Sequence, residues 1–301
     1  MAHPHTHAEP STSTTRLFVT VLLNFLITVV EIVGGILSGS LSLISDALHN
    51  LSDGVAIIIT YIAMKLSTRP NTERYTFGLK RAEILAAILN SATLIGIGVF
   101  LFNEAYHRFR TPEPIAGGLM IAVALTGLVA NVIGTLLLRQ GSQQNMNIRA
   151  AYLHLLSDAV SSVAVICGGV AIYFFDVAWV DPILTVLIAA YIIYESVEIV
   201  REAVNVLMMG APEDLSLQHV QRELEAVPGV QNIHHVHVWR MNDHDIHFEA
   251  HVDVADMPVS QCQQITRQIE EKLHDLHEIT HVTLQFECNA CSVKGLLYNH
   301  Q

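Results

Sequence analysis

The chain has 301 residues, 51% of them hydrophobic and only 15% charged, where a soluble domain carries about 25% charged residues. That composition, with a mean hydropathy of +0.41, excludes a wholly water-soluble protein, and the length leaves room for two domains. A net charge of −12 argues against a nucleic-acid partner, which selects basic surfaces, and suits a protein that meets cations.

The chain opens on His3, His5 and His7 without the basic start and small-residue cleavage site of a signal peptide. Residues 1–15 therefore read as a disordered, His-containing tail, either a loose metal-collecting segment or one with incidental histidines. Six apolar stretches follow, at 17–39, 41–66, 82–104, 115–138, 148–175 and 178–200. Most exceed the roughly 20 residues that cross a bilayer. Gly39-Ser40 joins the first two into a tight helical hairpin. With both termini in the cytoplasm, the inner side receives Arg16, Lys65, Arg69, Arg74, Lys80, Arg81, Arg139, Arg149 and Arg201, and the outer side only Arg108 and Arg110. That asymmetry predicts an N-in, C-in topology.

After Ala211-Pro212 the chain turns polar. Residues 214–226 have helical spacing and end at Pro228-Gly229. The segments His234–Trp239 and Asp245–Val254 alternate like strands, 258–276 reads as a helix and 280–287 as a last strand. The order α-β-β-α-β suggests a small α+β sandwich of ferredoxin-like type. The predicted organisation is a six-helix transmembrane domain at 16–209, a cytoplasmic domain at 210–290 and a tail at 291–301.

The sharpest feature is an internal echo: Leu48-His49-Asn50-Leu51-Ser52-Asp53 and Leu153-His154-Leu155-Leu156-Ser157-Asp158. His and Asp four apart lie on one helical face. Two such helices offer two imidazole nitrogens and two carboxylate oxygens, enough for tetrahedral Zn²⁺. An acid at the centre of a membrane helix costs about 2.5–3.5 kcal/mol and calls for a partner or a watery path. A His–Asp hydrogen bond tying helices together is the plainer reading of one pair, but helix pairing needs no repeated spacing. Asp46, one turn before His49, reads as a hydrated ligand or proton relay, and Glu31 as a packing or proton-path acid. Asn50 and Asn131 are candidates for hydrogen bonds that orient the ligands.

The four cysteines imply no disulfide framework. Cys167 and Cys262 read as packing or surface residues, and Cys288-x-x-Cys291 has metal-ligand or redox spacing. Eleven of the 17 histidines lie after Gly210.

The chain resembles the cation diffusion facilitator family of zinc exporters over nearly its whole length. The resemblance rests on the six spans, Gly-Ser-Leu-Ser-Leu before the first pair, Tyr75-Thr76-Phe77-Gly78 with Arg81-Ala82-Glu83, Arg108-Phe109-Arg110-Thr111-Pro112, and Pro228-Gly229-Val230 followed by His235-Val236-His237-Val238-Trp239. It implies a homodimer in a lipid bilayer, with a ferredoxin-like cytoplasmic domain, exchanging metal for protons in a bacterial-type inner membrane. It also implies a transport site of His49, Asp53, His154 and Asp158, a set typical of zinc-selective members, with Zn²⁺ as substrate rather than resident cofactor. Relatives place tail ligands where His234, His251 and Glu287 stand. His235, His237 and His281 are alternates, and Cys288 and Cys291 match a terminal pair that joins metal binding in some relatives. The loop after the second span holds no histidine, so the additional site some relatives carry there is expected to be missing. Mn²⁺, Fe²⁺, Co²⁺, Ni²⁺ or Cd²⁺ as cargo, an intramembrane metalloenzyme and a metal sensor stay open as alternatives. The absence of His-Glu-x-x-His speaks against the enzyme.

Overall fold

The structure is a computed structural model that describes residues 11–139, 146–242, 245–288, 290–291 and 295–297. The histidines at 3, 5 and 7 lie outside the described residues. These fall into two compact units, one drawn from residues up to Tyr61 with Leu89–Ile199, the other from Ile62–Ile88 with the chain from Val200 on.

Six long helices come first: α1 (Ser11–Ser38), α2 (Leu41–Ser67), α3 (Ala82–Arg110), α4 (Gly117–Leu138), α5 (Met146–Phe175) and α6 (Val180–Leu207). Among the described residues α2 to α6 each hold a stretch long and apolar enough to cross a membrane, and α1 contributes the shorter apolar stretch Leu22–Ser38. Exposed Phe25, Ile36, Ile58, Leu85, Val160 and Leu187 are what a lipid-facing surface requires. The third and sixth helices run past the apolar stretches read at 82–104 and 178–200, because the backbone continues through the polar turns at Asn103–Arg110 and Arg201–Leu207.

In the first unit α4 packs against α1 and α5. Small residues permit the approach: a Cβ at Gly34 of α1 would collide with the Val123 side chain of α4. The α1–α2 turn uses Gly39 at φ 72°, a left-handed conformation that glycine adopts freely. Immediately beyond it the start of α2 is capped from another helix. Asp181 of α6 accepts from Leu41 N (2.7 Å), Ser42 N (3.2 Å), Ser40 Oγ (2.7 Å) and Ser42 Oγ (2.5 Å). The carboxylate is fully buried, satisfies orphan helix donors and complements the positive end of the helix dipole. This cap fixes the helix that carries His49 and Asp53.

The second unit holds α7 (Leu217–Glu225), β1 (Val230–Arg240), β2 (Ile246–Val254), α8 (Val259–His277) and β3 (His281–Glu287). The order α-β-β-α-β is the expected one. The sheet order is β1-β2-β3, with β1 and β2 antiparallel and β2 and β3 parallel. Val220, Leu224, Ile265, Ile269 and Leu273 from the two helices form the core with Ile233, Val238, Phe248, Ala250 and Val252 of the sheet. In the same unit the α2–α3 loop meets the sheet: Lys80 Nζ donates to Asp245 Oδ2 at 2.7 Å, and the Phe77 ring stands edge-on to His247 at 5.4 Å between centroids.

Candidate metal centres

The two His-x-x-x-Asp pairs converge between α2 and α5. His49 Nε2 lies 3.6 Å from Asp53 Oδ2, and His154 Nε2 lies 3.5 Å from both Asp53 Oδ2 and Asp158 Oδ2. The His49 and His154 rings are 6.1 Å apart between centroids and nearly perpendicular. These nitrogen–oxygen separations are too long for good hydrogen bonds, and Asp53 Oδ2 and Asp158 Oδ2 accept none. They match something else. Atoms bound to zinc at about 2.0–2.1 Å in a tetrahedron stand about 3.3–3.4 Å from one another. Three of the six pairs among these side chains thus have the spacing that co-ligands of one cation would have.

Asp46 differs from the hydrated role expected of it. It is buried and accepts from Ser161 Oγ of α5 at 2.8 Å, because the helix end it occupies is covered by α5. Asn50 donates to Glu31 Oε2 at 3.1 Å rather than to a ligand, and neither amide atom of Asn131 is hydrogen-bonded among the described residues. Both are buried, but neither orients the His–Asp pairs directly.

A cavity of about 330 Å³ opens beside His49, Asp53 and His154 and continues past Asn90, Ser157, Tyr191, Glu195 and Ser196. Tyr191 and Glu195 were not singled out from the sequence. Their i, i+4 spacing on α6 was a readable signal, since a carboxylate in a membrane helix carries the same cost as Asp53.

The second cluster lies on the face of the sheet turned away from α7 and α8. Along β1 the core-facing residues change parity, from Ile233 to Val236 and Val238. One extra residue must absorb that change, and the pairing register shifts between His234 and His237, with His235 at φ 53°. The bulge puts His234 and His235 in succession on the same outward face. Their rings stand 5.5 Å and 4.5 Å from that of His251, the β2 partner of His234. Glu287 at the end of β3 reaches both: its Oε1 is 2.7 Å from His251 Nδ1 and its Oε2 is 3.5 Å from His234 Nε2.

Cys291 Sγ stands 3.9 Å from His251 Nδ1, and donor atoms of His234, His251, Glu287 and Cys291 all lie within 4.8 Å of one another. Burial raises the Glu287 pKa, but the Cys291 hydrogen bond and the two histidines outweigh it and hold the carboxyl below its ordinary value. His234 is 1% exposed and, among the described residues, neither ring nitrogen has a hydrogen-bond partner. A buried imidazole in that condition costs about 1–3 kcal/mol per orphaned group, and a bound cation would relieve one of the two nitrogens.

Of the remaining tail candidates, His237 is exposed and meets the His235 ring at 5.1 Å. Cys288 is exposed and stands outside the four-donor group. His281 pairs with His247, ring to ring at 4.6 Å, rather than with His251.

Residues 17–208 match the family model described as the cation efflux transmembrane domain, and residues 212–288 the one described as the cation efflux protein, cytoplasmic domain. Among curated relatives, the chain is 37% identical over 297 residues to the zinc transporter ZitB of Escherichia coli strain K12, covering 97% of this chain and 94% of that one. It is 36% identical over 291 residues to the metal cation efflux system protein CzcD of Cupriavidus metallidurans, covering 97% and 92%. A third relative, the cadmium, cobalt and zinc/H⁺–K⁺ antiporter of Bacillus subtilis, is 36% identical over 266 residues, covering 87% and 85%.

Proposed function

The chain belongs to the cation efflux, or cation diffusion facilitator, family of integral membrane proteins, and on that premise we propose that it exports Zn²⁺ from the cytoplasm in exchange for protons. The observation that carries this reading is the spacing of His49, Asp53, His154 and Asp158: three nitrogen–oxygen separations of 3.5–3.6 Å around unpaired carboxylate oxygens. Two imidazoles and two carboxylates suit Zn²⁺, which takes nitrogen and oxygen ligands without a d-electron preference for geometry. Relatives are named for zinc alone or for zinc with cadmium and cobalt, and the mixed N₂O₂ set supports the choice of zinc.

Proton exchange follows from the ligand chemistry. A metal-bound imidazole must be deprotonated, and imidazoles titrate near neutral pH, so protons and Zn²⁺ compete for one site. A site open to the outside takes protons and gives up its metal; open to the cytoplasm, it does the reverse. The excess of Lys and Arg in the loops assigned to the inside supports an N-in, C-in orientation in a bacterial inner membrane. The tail is read as a ferredoxin-like domain that holds a homodimer together, since the model matched by residues 212–288 is named for dimerisation. His234, His251, Glu287 and Cys291 are read as its zinc site, with His235 and His237 beside it.

Sealed vesicles containing the purified protein test the proposal. Zinc should accumulate when a pH gradient is imposed, with matching proton movement, and Asp158→Ala should abolish accumulation. Uptake indifferent to the pH gradient, or retained by Asp158→Ala, contradicts it.

A further inference from the structure

Glu195 has no role in the four-ligand site, yet it shares that site's cavity. It lies in α6, on the turn after Tyr191, and Tyr191 donates its hydroxyl proton to Glu195 Oε1 at 2.5 Å. Ser157, the residue that precedes Asp158, lines the same cavity. Among the described residues no lysine, arginine or histidine pairs with Glu195. Glu195 is exposed, and a carboxylate on a membrane helix calls for a cation or a watery path.

The cavity provides the path. Its volume of about 330 Å³ holds several waters, each occupying about 30 Å³ in the liquid. Besides His49, Asp53, His154 and Glu195, polar groups line it: the Asn90 amide, the Ser157 and Ser196 hydroxyls and the Tyr191 phenol. Every one of these is an oxygen or amide donor, with no thiol. Such a lining suits a divalent cation that still carries part of its hydration shell, whereas the two imidazoles suit the ion after those waters are shed.

We propose that Glu195, with Tyr191 and Ser157, forms a second cation station in this cavity, an oxygen-lined loading site for partly hydrated Zn²⁺ on its way to His49, Asp53, His154 and Asp158. The inference rests on the export reading above and deepens it. The Glu195 charge raises the local cation concentration and holds the ion while waters are exchanged for imidazoles. The station does not contribute to the final coordination. It therefore governs how readily the site fills from low zinc and leaves the turnover of a filled site alone.

The test is initial zinc uptake by full-length protein in vesicles over a range of zinc concentrations, comparing wild type, Glu195→Gln, Glu195→Asp and Tyr191→Phe. Glu195→Gln is expected to raise KM at least fivefold with kcat kept within twofold. Glu195→Asp should restore most of the loss, and Tyr191→Phe should give a smaller rise in KM. Glu198→Gln, on the same helix but outside the cavity lining, should match wild type. A Glu195→Gln variant whose KM stays within twofold of wild type overturns the proposal. So does one that loses kcat while keeping KM, or one that fails to bind zinc at equilibrium, since either result puts Glu195 in the structure or in the final site. If wild type itself moves no zinc, the export reading fails instead, so the two failures are distinguishable.

Discussion

Asp181→Ala removes the acceptor that closes the start of α2. Four hydrogen bonds converge on the Asp181 carboxylate, two from backbone N–H groups and two from serine hydroxyls. The hydroxyls of Ser40 and Ser42 stand 3.2 Å apart and can bond to each other once the carboxylate is gone. Leu41 N and Ser42 N have no such alternative. Each buried donor left unsatisfied costs about 1–3 kcal/mol, so the two together give a loss of about 2–6 kcal/mol. Asp181→Asn keeps one acceptor oxygen and should lose about half as much. The assay is equilibrium unfolding of the detergent-solubilised protein. A loss below about 1 kcal/mol for Asp181→Ala, less than one orphaned donor costs, would refute this account of the hairpin.

Three further outcomes follow from the tail. His234→Ala/His251→Ala should lower the zinc bound per chain by one equivalent, by elemental analysis after dialysis, while uptake still depends on Asp158; an unchanged count removes the tail site. Zinc at a hundred times its Kd should stabilise the tail by about 2.7 kcal/mol, seen as slower amide exchange in β1 and β3, and Glu287→Gln should abolish most of that protection. The third concerns pH. Burial, and then the neighbouring His281, hold the His247 pKa below its usual 6.5. The unfolded chain therefore takes up this proton first as pH falls through 6.5, and the tail loses stability there. Asp245 and Glu223 act lower: burial opposes Lys80 at Asp245 but does not outweigh it, and the His277 hydrogen bond dominates at Glu223. Both carboxyls sit below their usual range, so their contribution persists above it and is lost only in acid. Protection factors in β2, taken relative to the intrinsic exchange rate at each pH, should fall between pH 7.5 and 5.5, and His247→Phe should flatten that dependence; an unchanged slope contradicts it.

The helices and strands were legible because their periods are strong, and the His–Asp pairs because the same hexapeptide frame occurs twice in apolar surroundings. What stayed hidden depends on contacts between distant segments. Asp181 reads as a loop acid beside Pro182, and only the fold brings it to the start of α2. Asp46 looked solvated because it is near a helix end, but Ser161 lies more than a hundred residues away and closes over it. The bulge at His235 was partly readable, in the parity change from Ile233 to Val236. Which of Cys288 and Cys291 joins His251 was not, since that depends on how the chain turns after β3.

The most direct test of the central claim is zinc X-ray absorption on full-length protein carrying His234→Ala/His251→Ala, loaded with one zinc per chain. The account predicts a four-coordinate shell of nitrogen and oxygen at about 2.0–2.1 Å, with outer scattering from two imidazoles that falls to one in a further His154→Ala variant. A sulfur shell, or an imidazole count unchanged by His154→Ala, contradicts a single site built from His49, Asp53, His154 and Asp158.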